Sequence, residues 1–592
     1  MQFPTHCVPT RSSLHPALVA AIFAVSTLRL LGAQPVAPAL VPLDELKAGQ
    51  RGEVWTVFRG TEPEPFAVEV TGVVRNALGP GKSLILCELT DPRVQKMGAV
   101  AGMSGSPLYI EGKFAGALSY QIQRFETVRY AGFTPAVDLV EVQSKVGRGL
   151  PATTPTATTS LDSPYQPLQP VFTLSGLSPA VADLFAPRFA ALGLAATALG
   201  GSVGSSSNSQ SPMSVSPLAA GSAVAVALST GDITLAGTGT VSRVDGRHVT
   251  AFGHPMLSLG EVALPMCAAE IVAILPSTMQ SIKVANTGVV IGTITQDRLS
   301  AVSGLLGSGP AMTDVEVTVN ARHAAPRTLH FSVARQPQLT PLIVAAGVTQ
   351  AIMGANDAGF SNGFRLTSDI RFPAAEKLAT LTLYSGPQGF TQGLNEFVQS
   401  LAANLQNPYA KTFPDRVAFS VEPLEENPTV ILDLFQLSRT TVRGGETVQV
   451  TLAWRNFQGA AHRETINLPI NPAWTGRRLE VILAPGRALD ELTGRPRVIA
   501  AAELRSFAAY LAVLRDDRPT DGLCLALVEQ TELFSDQAIA TPEAPGSIER
   551  IARGADETRF RTRAALLPLW ERHVLPGKLS SAILRRPLQV VD

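Results

Sequence analysis

The sequence predicts a mainly β protein built from several modules, and three observations carry that expectation. Charged residues make up only 16% of the chain, below the roughly 25% of an average soluble domain, which disfavours long solvated helices. The 49 glycines and 44 prolines among 592 residues supply turns at short intervals. Between them lie short runs rich in β-branched and aromatic residues, the pattern of strands bounded by turns. The length is about four times a ~150-residue domain, so three to five modules are expected.

Lys plus Arg and Asp plus Glu balance at 48 each. No global positive field is available to attract nucleic acid or an anionic membrane, and a nucleic-acid role is disfavoured. Residues 1–33 read as an export signal: Arg11 and His15 precede an apolar stretch from Ala17 to Leu28, and Leu31-Gly32-Ala33 offers small residues for cleavage. The expected location is therefore periplasmic, cell-surface or extracellular, with a buried N-terminal helix as the alternative. No further stretch is long enough to span a membrane. Cys87, Cys267 and Cys524 are an odd set without metal-ligand spacing, and read as buried apolar residues. No metal or cofactor is implied.

From residue 34 to 146 short β-type runs recur, among them Glu53 to Phe58, Phe66 to Val70 and Leu84 to Cys87. A low-complexity linker is expected over 147–216, with Pro151 to Pro155 at one end and a Gly/Ser/Asn-rich stretch from Gly200 to Ser216 at the other. Within it Ser178-Pro179 supplies an N-cap pair for one helix, kinked at Pro187. A second β unit covers 217–312 and contains an Asp245-Gly246 turn between strands. An α+β module is expected over 313–411, where Leu394, Phe397, Val398, Leu401 and Leu405 mark an amphipathic helix. Residues 412–475 read as an immunoglobulin-like β module around Gly444-Gly445. Residues 476–592 read as a C-terminal α+β module with a helix from Ala501 to Leu514.

Chemistry concentrates in Gly102-Met103-Ser104-Gly105-Ser106-Pro107. A serine between glycines on a tight turn exposes its hydroxyl, and the amides of Gly102 and Ser104 can point outward together to hold an oxyanion. Leu108 to Ile110, the Glu111-Gly112 turn and Phe114 to Tyr120 then form a hairpin, similar to the one lining the specificity pocket of chymotrypsin-like enzymes. A serine nucleophile needs a base. Of eight histidines, His6 and His15 lie in the signal, and His323, His330, His462 and His573 lie outside the two β units. His248 and His254 remain. Only His254 has a special setting, Phe252-Gly253-His254-Pro255, which is either a base or a turn histidine satisfied by backbone.

Thr90-Asp91-Pro92-Arg93-Val94, followed by Gly98 to Pro107, closely resembles the nucleophile segment of the SpoIVB peptidases, a bacterial serine-peptidase family of the chymotrypsin-like clan. Phe252-Gly253-His254 resembles that family's histidine segment. The resemblance implies Ser104 as nucleophile, His254 as base and Asp91 as the acid orienting it, with Ser106 structural. The resemblance also implies a chymotrypsin-like double β-barrel. Apart from the resemblance, Asp297 is the reserve acid, with a loop residue salt-bridged to Arg298 as its alternative reading. The order is circularly permuted, because the serine half precedes the histidine half here; the family's PDZ domain is not recognisable.

The functional expectation is an exported serine endopeptidase acting on a protein or peptide, with Ser119, Tyr120 and Gln121 pairing with an extended substrate by β-augmentation. The oligomeric state is left open. The rival reading is a catalytically degenerate binding or scaffold protein of the cell envelope, supported by the long region after residue 313. An α/β-hydrolase is disfavoured because Ser104 is followed by Pro107 and a hairpin instead of a helix.

Overall fold

The computed structural model describes residues 38–592 apart from 123–128, 148–164, 169–170, 195, 198–200, 203–216, 278–280, 322–324, 355–358, 406–411, 494–505, 536–539, 543–544 and 556–560. The expected signal and both low-complexity ends of the linker lie outside the described residues.

The first unit is a closed antiparallel barrel of six strands: β1 (Arg51–Thr56), β2 (Glu64–Val74), β3 (Leu84–Leu89), β4 (Pro107–Ile110), β5 (Lys113–Ile122) and β6 (Tyr130–Pro135). They run in the order β4-β1-β2-β3-β6-β5, and β4 closes onto β5. Alternation drives the closure: in β1, Gly52, Val54 and Thr56 turn inward while Arg51 and Glu53 face solvent. Val54, Phe66, Val68, Ile85, Leu108, Leu118 and Phe133 fill the interior. Glu111 and Gly112 both take positive φ, as a two-residue hairpin between β4 and β5 requires. A short helix, α1 (Pro92–Met97), leads into the serine turn, and α2 (Ala136–Gln143) leaves the barrel.

The chain then forms β7 (Tyr165–Pro167), β8 (Val171–Ser175), α3 (Pro179–Ala190) and the two-residue pieces β9 (Ala196–Thr197) and β10 (Gly201–Ser202). Helix α3 starts after Ser178 as expected and carries Pro187 inside it.

A second six-stranded ring follows: β11 (Ala223–Gly231), β12 (Thr234–Asp245), β13 (His248–Ala251), β14 (Gly260–Leu275), β15 (Ile282–Arg298) and β16 (Ala301–Leu306). Its order is β11-β14-β15-β16-β13-β12, and β11 also pairs with β12 to close it. Asp245 pairs with His248 across the turn that the sequence marks. Val226, Leu235, Val249, Leu264, Ile294 and Val302 are among its buried residues.

The sheet continues outward from β11 through β18 (Arg327–Ala334) to β17 (Met312–Val319), then β21 (Arg416–Pro423), β19 (Phe364–Arg371) and β20 (Lys377–Tyr384). It packs against α4 (Thr340–Met353) and α5 (Leu394–Leu405). The expected boundary at 411 needs correction: β21 pairs with β17 and β19 and so belongs to the preceding unit.

The boundary at 475 needs correction too. One sheet holds β22 (Val430–Leu437), β24 (Thr447–Asn456) and β25 (Ala461–Pro469); the other holds β23 (Thr441–Arg443), β26 (Arg478–Pro485), β27 (Leu523–Ser535), β28 (Ala540–Pro542), β29 (Arg561–Val574) and β30 (Leu584–Val591). Phe435, Val450 and Ile466 of the first share one core with Val481, Leu525 and Leu588 of the second. A sandwich needs both faces to cover its apolar residues, so residues 430–475 supply one layer, and β23 of the facing layer, of a unit that runs through 592. The expected helix spans Phe507–Arg515, capped by Ser506, whose hydroxyl accepts from the Ala509 amide; residues 501–505 lie outside the described residues.

Candidate active site

The serine turn hangs between β3 and β4 and is held by its own backbone. The amides of Met103 and Ser106 donate to the carbonyls of Val100 and Met103, and that of Gly105 donates to Leu118. The amides of Gly102 and Ser104 have no acceptor among the described residues. Those two donors, alternating with satisfied ones, are the pair named from the sequence as an oxyanion hole. Gly105 sits at a positive φ of 96°, and a Cβ there would lie 2.0 Å from the Thr240 carbonyl oxygen and 2.4 Å from the Phe252 nitrogen. Only glycine fits so close an approach. The two serines differ: Ser106 Oγ donates to the Met103 carbonyl at 2.6 Å, whereas Ser104 Oγ is buried without a partner.

The second barrel forms the opposite wall. The Thr240 amide donates to the Ser104 carbonyl at 2.8 Å, and the Phe252 amide donates to the Thr240 carbonyl at 3.2 Å. Thr134 of the first barrel donates its hydroxyl to the Gly253 carbonyl at 2.6 Å. Phe252 and Gly253 both adopt positive φ, which turns the chain sharply out of β13 and delivers His254. The imidazole is wholly buried. Its Nδ1 lies 2.7 Å from the Pro255 carbonyl, an acceptor only, so Nδ1 carries the proton. Nε2 is therefore the unprotonated nitrogen, and it too is buried without a partner. Burial lowers the ring's pKa from 6.5 to about 4, against the opposing pull of the Pro255 and Leu168 carbonyls.

Asp91 does not orient this ring. Its carboxylate caps α1 by accepting from the Arg93 amide and pairs with the Arg93 guanidinium at 3.1 Å, which holds its pKa below the usual carboxylate value. Thr-Asp-Pro-Arg is as good a helix start as a catalytic run, and capping wins here. Asp297, by contrast, is not ion-paired with Arg298. Its buried carboxylate accepts from the amides of Met256 at 2.7 Å, Leu257 at 2.9 Å and Leu259 at 3.1 Å, while Arg298 turns to Gln296. Burial raises the Asp297 pKa and these amides oppose the rise. It grips the loop that follows His254 without touching the ring, and among the described residues no carboxylate bonds the imidazole.

The remaining histidines are elsewhere: His330 lies beside Glu316, His462 stacks on Trp454, His573 meets the Asp521 carbonyl, and His248 sits in β13. His323 lies outside the described residues. Cys87, Cys267 and Cys524 are free, buried thiols. Ser119 and Tyr120 are buried beside the turn, and Tyr120 and Gln121 lie between β6 and β7, pairing with both.

One residue at the site was missed. Lys283, at the start of β15, is wholly buried; its Nζ donates to Thr56 Oγ1 at 2.8 Å, and its methylenes lie 3.0 to 3.3 Å from where a Gly102 Cβ would be. The backbone is sewn beside it: the Ala101 amide donates to Ser281, and the Lys283 amide to Ala101. Burial lowers its pKa from 10.5 to about 7. In sequence it reads as a solvated charge between Ile282 and Val284, and no local signal marks it. The folded chain thus binds fewer protons than the unfolded chain between about pH 7 and 10.5, and stability rises with pH across that window. Lys283→Met is expected to raise Tm at pH 7, with the gain shrinking as pH approaches 10.5. Thermal unfolding at pH 7 and 9.5 checks this, and an unchanged or lower Tm at pH 7 counts against it.

Two six-stranded barrels meet at a glycine-flanked serine, an arrangement like that of the chymotrypsin-like fold. The comparison of families agrees: residues 34–133 match the model described as SpoIVB peptidase S55, so the first barrel is similar to the SpoIVB peptidases. The match ends before His254. No curated protein and no solved structure matches the chain.

Proposed function

We propose that the protein is an exported serine endopeptidase acting on an extended segment of an envelope or secreted protein, with the two barrels in exchanged order relative to the SpoIVB arrangement. One observation supports it most: Ser104 Oγ and His254 Nε2, on the facing walls of the barrel junction, are both buried without partners. Such groups cost free energy and are otherwise satisfied. In the proposed reaction Ser104 Oγ forms a bond to the substrate carbonyl carbon while its proton passes to His254 Nε2. The Gly102 and Ser104 amides hold the oxyanion. The carbon–nitrogen bond then breaks as Nε2 returns the proton to the leaving amine, and water, activated the same way, releases the acid. The Pro255 carbonyl fixes the tautomer in place of a carboxylate, and a ring with its pKa near 4 stays unprotonated at neutral pH. Asp91 has no part in this scheme.

Fluorophosphonate labelling with peptide mapping tests the proposal. An adduct at Ser104 in the native protein, lost on denaturation and in Ser104→Ala and His254→Ala, supports it. A folded protein with no adduct under any condition favours the envelope-scaffold reading instead.

A further inference from the structure

The groove beside Ser104 is occupied by the chain itself. Strand β7 runs antiparallel to β5, with Pro167 opposite Tyr120, Gln166 opposite Gln121 and Tyr165 opposite Ile122. The ladder continues one residue further: the Leu168 amide donates to the Ser119 carbonyl at 2.8 Å. Leu168 is wholly buried in the cluster that includes Met103, Leu118 and Phe133, although it comes from outside the barrel. Its carbonyl lies near enough to His254 to affect the ring's proton affinity. Ser104 and His254 are both wholly buried, so no outside peptide reaches them while this strand is seated.

We infer that residues 165–168 occupy the place of the substrate's acyl-side residues, with Leu168 in the pocket for the residue before the scissile bond, and thereby restrain the enzyme. This rests on the catalytic reading of Ser104 and His254. Two features coincide at one residue. A main-chain amide is bound by the strand after the nucleophile, and an apolar side chain is sunk in a pocket lined from the nucleophile's own barrel. An extended substrate needs both, and would add a carbonyl in the Gly102 and Ser104 amide pair, which this strand leaves without an acceptor among the described residues. The substrate class follows: an extended segment with a leucine-sized apolar residue before the cut bond, because a charged or bulky aromatic residue there would lose burial or overfill the site. Restraint follows as well, since a tethered strand competes at a high effective concentration.

The experiment uses the full chain with Leu168→Asp, which places a charge in the pocket, and Leu168→Ala, which only empties it and is the variant less exposed to misfolding. Circular dichroism melting verifies the fold. Fluorophosphonate labelling of Ser104 is timed, and hydrolysis of fluorogenic peptides ending Tyr-Gln-Pro-Leu and Tyr-Gln-Pro-Asp is measured. At least a tenfold faster labelling in a folded variant than in wild type, with the leucine peptide cut at least tenfold faster than the aspartate peptide, is the expected result. A wild-type chain found cut on the C-terminal side of Leu168 also supports the placement. Labelling that is rapid in wild type and unchanged in both variants, with no preference for leucine, overturns the inference and leaves the Ser104 assignment standing. No labelling in any of the three proteins removes the catalytic reading itself, and this inference with it.

Discussion

Ser104→Ala is expected to lower peptide hydrolysis by ~10⁴-fold or more, while Ser106→Ala retains most of the activity. The two hydroxyls lie two residues apart on one turn and differ in what they touch. Ser106 Oγ is spent on the Met103 carbonyl and braces the turn, so its loss removes one neutral hydrogen bond, roughly 1 kcal/mol. Ser104 Oγ has no such bond and serves only the proposed reaction. His254→Ala should cost about as much as Ser104→Ala, and the double variant little more, because the two act as one unit. The pH profile adds a separate reading. Activity requires the unprotonated ring, so it should rise with pH through a limb below the ordinary 6.5, toward the value near 4. In Leu168→Asp, where water can enter, the limb should move back up toward 6.5. Steady-state kinetics from pH 3.5 to 8 would show both. Equal losses from the two serine substitutions would defeat the assignment.

Asp297→Asn should be nearly as damaging, and through the fold. The change keeps the size of the side chain but turns one oxygen into a donor. Oδ1 accepts from Met256, and Oδ2 accepts from both Leu257 and Leu259. Whichever way the amide lies, an N–H group faces at least one buried N–H. Losing charge-assisted bonds and leaving donors unpaired costs about 3 kcal/mol. Because the loop begins directly after His254-Pro255, Asp297 acts as a positioning residue for the base. At temperatures where the variant remains folded, kcat should fall at least tenfold with KM little changed, and urea unfolding should show the stability loss separately. A variant that loses stability but keeps kcat would confine Asp297 to a structural role.

The elements that were legible are those whose signals are local. The β4–β5 hairpin announced itself by Glu111-Gly112, and α5 by apolar residues at helical spacing, four of which are buried. The helix α4 left no such trace: Leu342 to Thr349 are buried on every side, and an element that is apolar all round has no period to read. The sandwich was cut in two because its layers lie far apart in sequence, with Val450 in one and Leu588 in the other. The turns that carry Ser104 and His254 were legible through glycines that force sharp bends. The place of Asp91 was not, because an aspartate before proline signals a helix cap as strongly as a catalytic role. The hydrogen bond that fixes the ring comes instead from the Pro255 carbonyl, a group every residue possesses and no sequence advertises. Lys283 and Leu168 were invisible for a related reason: each acquires its meaning from a partner far along the chain, Thr56 for one and Ser119 for the other.

Each barrel closes within one uninterrupted stretch of chain, the first by Pro135 and the second by Leu306. A chain emerging from its N-terminus can therefore complete the first barrel before His254 has been made. At roughly 5–20 residues per second, the nucleophile turn waits some seconds beside no base at all. Residues 165–168 emerge in that interval, ahead of the histidine. Birth order along the chain thus makes the proposed restraining strand before His254 completes the proposed pair, so that under this proposal a newly made molecule begins life guarded.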